Sequence, residues 1–232
     1  MNNITPVVKN LLIINVILFV ATWLFQIQGI PLEQYLAVFY FDSPFFKIWQ
    51  PITHMFMHAN LFHIFFNMFG LVMIGGIVEN HFGGKRFFNF YMISGLGAIA
   101  LQWAVQAFEV YQVTGSVLND LSVVSSSQQL LDIYRTPMVG ASGAVFGILT
   151  AFAVLYPNLE LMIMFIPVPI KAKYFVPAIV LLDLFSGVTG YSIFGGGIAH
   201  FAHVGGAVVG FLMMWYWKKN QFNNNRWDRK SF

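Results

Sequence analysis

Three clusters in this sequence hold residue types that can transfer an acyl group. Ser142 stands among small residues in Gly140-Ala141-Ser142-Gly143. His200 and His203 lie in Ala199-His200-Phe201-Ala202-His203-Val204-Gly205-Gly206, with Gly210 following. His54, His58, His63 and Asn67 form the third cluster. A serine hydroxyl beside a neutral imidazole pairs a nucleophile with its general base. His63, Asn67 and the amide N–H of Ser142 supply hydrogen-bond donors for an oxyanion, and the spacing of four puts His63 and Asn67 on one helix face. Gly140 and Gly143 leave room for a substrate backbone, whose carbonyl must come within roughly 3–3.5 Å of the hydroxyl. Together with His58 they are read as support for a substrate cavity.

Each of these groups also has a quieter reading. Gly143 with Gly147, and Gly206 with Gly210, form the G-x-x-x-G pairs that let helices approach closely. Gly206 and Gly210 are read as packing that brings His203 within reach of Ser142. The nucleophile elbow of soluble hydrolases needs a strand–turn–helix setting, and no such sheet is evident. His54, His58, His63, His200 and His203 would also suit a haem or a metal ion, since histidines four apart can share one. That reading leaves Ser142 among its glycines unexplained. The chain has no Cys, which excludes thiolate nucleophiles, Cys-based metal sites and disulfides.

The elements that must position these residues follow from composition. The chain has 232 residues, 58% of them apolar, and only 12 basic and 9 acidic side chains, or 9% charged. Soluble domains carry roughly 25%. With a mean hydropathy of +0.69, an ordinary soluble domain, a disordered chain and a nucleic-acid-binding module are all excluded. The sequence predicts an all-α polytopic membrane protein with six spans, at 8–27, 60–78, 87–108, 140–156, 174–188 and 198–217. The runs are longer and more continuously apolar than barrel strands. Residues 1–217 read as one membrane domain and 218–232 as a basic, Asn-rich tail. No cleavable signal peptide is evident.

With the N-terminus inside, the cytoplasmic side holds Lys9, Lys85, Arg86, Lys171, Lys173, Lys218, Lys219, Arg226, Arg229 and Lys230. The outer side holds only Lys47 and Arg135. This positive-inside bias places both termini in the cytoplasm. The second, fourth and sixth spans then all run from outside to inside, and each polar cluster lies near the start of its span. At 1.5 Å per residue, Ser142 and His203 both fall roughly 7–8 Å below the outer ends of their spans. Topology therefore brings serine, histidines and donors into one layer.

The loops differ in kind. The first outer loop, 28–53, is aromatic and is expected to lie in the membrane interface. The second, 109–138, is polar, with Ser125–Ser127, and is expected to be mobile. The inner loop 157–173 holds an apolar run too short to span, punctuated by Pro157, Pro167 and Pro169, and is expected to lie against the membrane. Asp183 stands mid-span, where an ionised carboxylate is costly; it is either protonated or bonded to another helix. Glu79 and His81 read as structural.

Taken together and in order, these motifs resemble the rhomboid family of intramembrane serine proteases. The resemblance rests on His54-x3-His58-x4-His63-x3-Asn67, on Gly140-Ala-Ser142-Gly, on Ala199 to Gly206 with Gly210, and on Gly75-Gly76 followed by Glu79. It runs from about Trp49 to Trp217. It implies a rhomboid-like bundle of six helices in a bacterial inner membrane, working without cofactor or metal through a Ser–His dyad that lacks a catalytic carboxylate. By match, Ser142 is the nucleophile, His203 the base, and His63 and Asn67 the oxyanion donors, while His200 is the secondary candidate for the base. Partners would be the lipid bilayer and substrate transmembrane segments, single spans easily unwound near the outer face and cut beside a small residue. The alternative within the family is an inactive protein that binds spans without cutting them. Some relatives carry a Tyr against the imidazole; here that position is Phe146, whose ring can pack there as part of the cavity. A Trp-Arg pair common in the first outer loop is not evident. No added soluble domain is expected, and gating is expected from that loop or from the outer end of the fifth span, near 187–197.

Overall fold

In a computed structural model the chain is described over residues 4–163, 166–191 and 199–224. The first helix, α1 (Pro6–Ile27), starts with Pro at a position where no intrahelical donor is lost. Its next two amides would be orphaned, but Val7 and Val8 donate at 2.9 Å each to the two oxygens of the buried Glu79 carboxylate. Glu79 thus ties the start of α1 to the end of the second span. The short α2 (Leu32–Leu36) and α3 (Gln50–Thr53) follow, the latter running into a 3-10 turn at His54–Phe56.

Asn60 caps α4 (Leu61–Gly70), its side chain accepting from the His63 amide at 2.9 Å. A π-helical turn, Leu71–Gly75, carries α4 into α5 (Gly76–Phe82), making one continuous helix over Leu61–Phe82. Gly83, at φ +76°, turns the chain into α6 (Gly84–Thr114). At 31 residues, α6 is about 46 Å long, more than a hydrocarbon core of about 30 Å needs. Then come α7 (Leu121–Val124), α8 (Gln128–Arg135), α9 (Ser142–Leu155), a β-hairpin, α10 (Ala172–Thr189) and α11 (His200–Asn224).

Four helical stretches are long and apolar enough to cross a membrane among the described residues: Pro6–Ile27, Leu61–Phe82, Gly84–Thr114 and Ala172–Thr189. The apolar α9 is shorter, at 14 residues, and α11 has 25. Helix α11 passes the expected boundary at Trp217 and continues through Lys218 and Lys219; residues 225–232 of the expected tail lie outside the described residues.

Helices α6, α9 and α11 pack on one another at the centre. The main core is built from Leu71, Val78, Phe87, Phe90, Tyr91, Ile148 and Phe152, all nearly inaccessible. Ile17, Trp23, Leu181, Val188, Phe211 and Leu212 lie exposed on the outside of the bundle, as residues facing lipid would. The bundle has two distinct ends. One gathers Val7, Glu79, Phe82, Trp217 and the His81–Tyr156 contact of 3.3 Å. The other holds Ser142 and His203.

The structure corrects the all-helical expectation. Within 157–173, the loop read as inner, an antiparallel hairpin forms from β1 (Glu160–Ile163) and β2 (Ile166–Lys171), with Glu160 opposite Lys171 and Leu161 opposite Ile170. Pro167 and Pro169 bar a helix here, and a two-stranded ribbon tolerates them because each strand is an edge. Leu161 packs against the main core.

The second of the two loops read as outer, 109–138, carries α7 and α8. It packs with the first around Tyr40, Val110, Val124, Leu130, Ile133 and Tyr134 as a satellite core. Val38 pairs with Met138 through backbone bonds of 3.0 and 2.8 Å. Tyr134 donates to Asp42 at 2.6 Å, and Trp103 donates to the Phe39 carbonyl at 3.0 Å. These bonds anchor the first loop without a Trp-Arg pair. Burial and the charge of Asp42 push the Tyr40 hydroxyl up to about 12. Ile48 and Trp49 remain exposed, as an interfacial loop would have them.

Candidate active site

The site begins where α9 begins. Gly140 has φ +134°, a conformation open to glycine, and its amide donates to the His54 carbonyl at 2.9 Å. That bond pins the approach to the helix. A methyl group at Gly140 would stand 2.8 Å from His63 Nε2 and 3.5 Å from Ser142 Oγ, so glycine is required for His63 and Ser142 to face one another. Ser142 is the first residue of α9, where an amide N–H has no intrahelical acceptor.

Helix α11 reaches this point because glycines remove the bulk between it and α9. A Cβ on Gly206 would fall on the Gly143 carbonyl, and one on Gly210 would come within 2.8 Å of the Gly147 Cα and carbonyl oxygen. His203 lies one turn before Gly206, toward the serine end. Its Nε2 is 2.8 Å from Ser142 Oγ. Phe146 stacks on the imidazole, with ring centroids 4.3 Å apart and planes within 10°. This holds the ring by area, with no polar contact.

His63 comes from the first turn of α4, set by the Asn60 cap. Its Nδ1 accepts from the Ala59 amide at 3.4 Å, which puts the proton on Nε2, the atom facing Gly140 and Ser142. Asn67 is buried one turn on, and its Nδ2 has no partner among the described residues. His58 is buried beside His63, with ring centroids 5.0 Å apart, and neither of its ring nitrogens has a hydrogen-bond partner among the described residues. His54 stands apart, its Nδ1 bonded to the Gln50 carbonyl at 3.0 Å. The five histidines of the metal reading therefore do not converge. Among the described residues, one group of potential metal donors forms: Asp183, His200 and His203.

Asp183 is the residue whose role the sequence left open. Its Oδ1 lies 2.6 Å from His200 Nδ1 and 3.2 Å from His203 Nδ1. The signal was present, a lone carboxylate in an apolar run, but its partners depend on how α10 packs on α11. The expected gate at the outer end of the fifth span falls largely on 192–197, outside the described residues.

Long apolar helices enclosing a hydrogen-bonded serine and histidine define an integral, multi-pass membrane protein with a hydrolase-like site. The chain belongs to the rhomboid family: the model of the rhomboid domain matches residues 46–220. It is similar to the rhomboid protease AarA of Providencia stuartii, 30% identical over 179 residues that cover 71% of this chain and 54% of that protein. It is also similar to mitochondrial rhomboid protein 1 of Saccharomyces cerevisiae, 28% identical over 71% of this chain and 40% of that protein. Chloroplastic rhomboid-like protein 11 of Arabidopsis thaliana is 28% identical over 90% of this chain and 64% of that protein. The chain thus spans about half the length of the curated relatives it matches.

Proposed function

We propose that this chain is an intramembrane serine endopeptidase that cleaves single-span membrane proteins near the end of the bundle where α9 begins. The observation that carries the proposal is the 2.8 Å contact of His203 Nε2 with Ser142 Oγ, made within a family whose members include a named protease. His203 accepts the hydroxyl proton as Ser142 attacks the peptide carbonyl. The oxyanion is met by the Ser142 amide, by His63 Nε2–H and by Asn67 Nδ2. A buried amide donor without a partner suits this role, because it is already desolvated when charge develops. His203 then passes its proton to the leaving amine, and water, activated by the same imidazole, resolves the acyl-enzyme. Gly140 and Gly143 leave the approach to Ser142 open. A substrate must present an extended carbonyl there, which favours spans that unwind readily beside a small residue.

Six spans with both termini in the cytoplasm, in a bacterial inner membrane, complete the proposal. Lys9, Lys85, Arg86, Lys173, Lys218 and Lys219 adjoin the residues gathered at the Glu79 end, while Lys47 and Arg135 adjoin the Tyr134–Asp42 cap. This asymmetry supports a cytoplasmic Glu79 end. The test is cleavage of a tagged single-span protein by the purified, reconstituted chain. Wild type is expected to cut it, and Ser142→Ala and His203→Ala to leave it intact. Cleavage that persists in Ser142→Ala overturns the serine mechanism, and binding without cleavage by wild type would show an inactive span-binding protein.

A further inference from the structure

We propose that Asp183 is a positioning residue of this site: its carboxylate selects the tautomer of His203 that can act as a base toward Ser142. The proposal rests on the reading of Ser142 and His203 as nucleophile and base. It adds a carboxylate to what the resemblance implies is a bare dyad.

His203 has one partner on each ring nitrogen, Ser142 Oγ on Nε2 at 2.8 Å and Asp183 Oδ1 on Nδ1 at 3.2 Å. Nε2 can accept the serine proton only if it carries none, so the ring proton must sit on Nδ1. A carboxylate accepts there and cannot donate, which selects that tautomer and fixes the ring plane. Phe146 stacks on the ring, but a stack is indifferent to which nitrogen is protonated. Asp183 is the one polar contact that is not.

His200 explains why the carboxylate can be held there. An ionised side chain within an apolar helix is costly unless it is paired. Asp183 Oδ1 also takes the Nδ1 of His200 at 2.6 Å, the shorter of its two contacts, and His200 is itself buried. Two donors three residues apart on α11 converge on one oxygen from α10. His200 thus anchors Asp183, and Asp183 orients His203. As His203 becomes an imidazolium during acyl transfer, the adjacent carboxylate stabilises it. The same three side chains could instead hold a metal ion through both Nδ1 atoms. In that arrangement neither Nδ1 carries a proton, which makes the alternatives separable.

The experiment pairs a spectroscopic and a kinetic measurement on the full chain in lipid bilayers. Protein labelled with 15N at histidine is examined by solid-state NMR, with the His203 signals identified by their loss in His203→Gln. In wild type we expect Nδ1 protonated and Nε2 unprotonated, and in Asp183→Asn a shift toward the opposite tautomer. With a tagged single-span substrate, Asp183→Asn is expected to lose kcat by about 10²- to 10⁴-fold, the upper end being the cost of the wrong tautomer in a serine–histidine–aspartate site, with KM little changed. Asp183→Glu is expected to recover part of that loss. An unprotonated Nδ1 on His203 in wild type overturns the proposal, whatever the activity. So does an Asp183→Asn variant with unchanged kcat, or one whose loss lies in thermal stability and KM. A wild-type chain that cuts no substrate sinks the protease reading instead, and the NMR measurement on wild type still decides the tautomer.

Discussion

Asn67 carries the clearest test of the oxyanion assignment. Its Nδ2 is buried and has no partner among the described residues, an arrangement that costs free energy in the resting protein and is repaid only when an acceptor arrives. Asn67→Ala is expected to lower kcat by roughly 10²–10³-fold, the usual effect of removing one such donor, with KM and thermal stability nearly unchanged. Steady-state kinetics on a single-span substrate would check it; a loss confined to KM would count against the assignment. At this scale much of the site was legible in the sequence. Ser142 lies between Gly140 and Gly143, His203 is followed by Val204-Gly205-Gly206, and His63 and Asn67 share a helix face. The role of Asp183 was not legible. Asp183 meets His200 and His203 only through the packing of α10 on α11, which no spacing along one helix encodes.

Among the elements, the meeting of α9 and α11 is decisive. Gly206 faces the Gly143 carbonyl so closely that no Cβ fits, and backbone cannot yield as a flexible side chain would. Gly206→Val is therefore expected to cost about 1–3 kcal/mol, toward the upper end of the range for overpacking, and to remove activity by pulling His203 away from Ser142. Thermal unfolding in detergent and substrate cleavage together would check this; a fully active, equally stable variant would contradict it. The G-x-x-x-G pairs made this contact legible beforehand. The hairpin was not, because its apolar run and prolines are equally consistent with irregular chain lying on the membrane. Nor were α7 and α8. Their polar, Ser-rich sequence hides the apolar face of Leu130, Ile133 and Tyr134, which has a partner only once Tyr40 and Val110 arrive from distant segments.

The whole molecule is organised by direction. Glu79 fixes the start of α1 beside the end of the second span, and Tyr156 meets His81 at that same end. Starting from the opposite end, α4, α9 and α11 deliver His63, Ser142 and His203 to one layer. The 2.8 Å contact puts Ser142 and His203 at one depth, while the proposed orientation rests on the placement of the twelve basic residues. Because the chain has no Cys, single cysteines can report its orientation. Lys47→Cys and Lys173→Cys are expected to react with a membrane-impermeant maleimide from opposite faces of intact inner-membrane vesicles; labelling from one face would refute the proposed topology. The central claim, that His203 activates Ser142 as a nucleophile, is tested most directly by a fluorophosphonate probe with mass-spectrometric mapping of the adduct. Modification of Ser142 alone is expected in the wild-type chain, and none in His203→Ala. Modification of another serine, or equal labelling of Ser142 without His203, would contradict it.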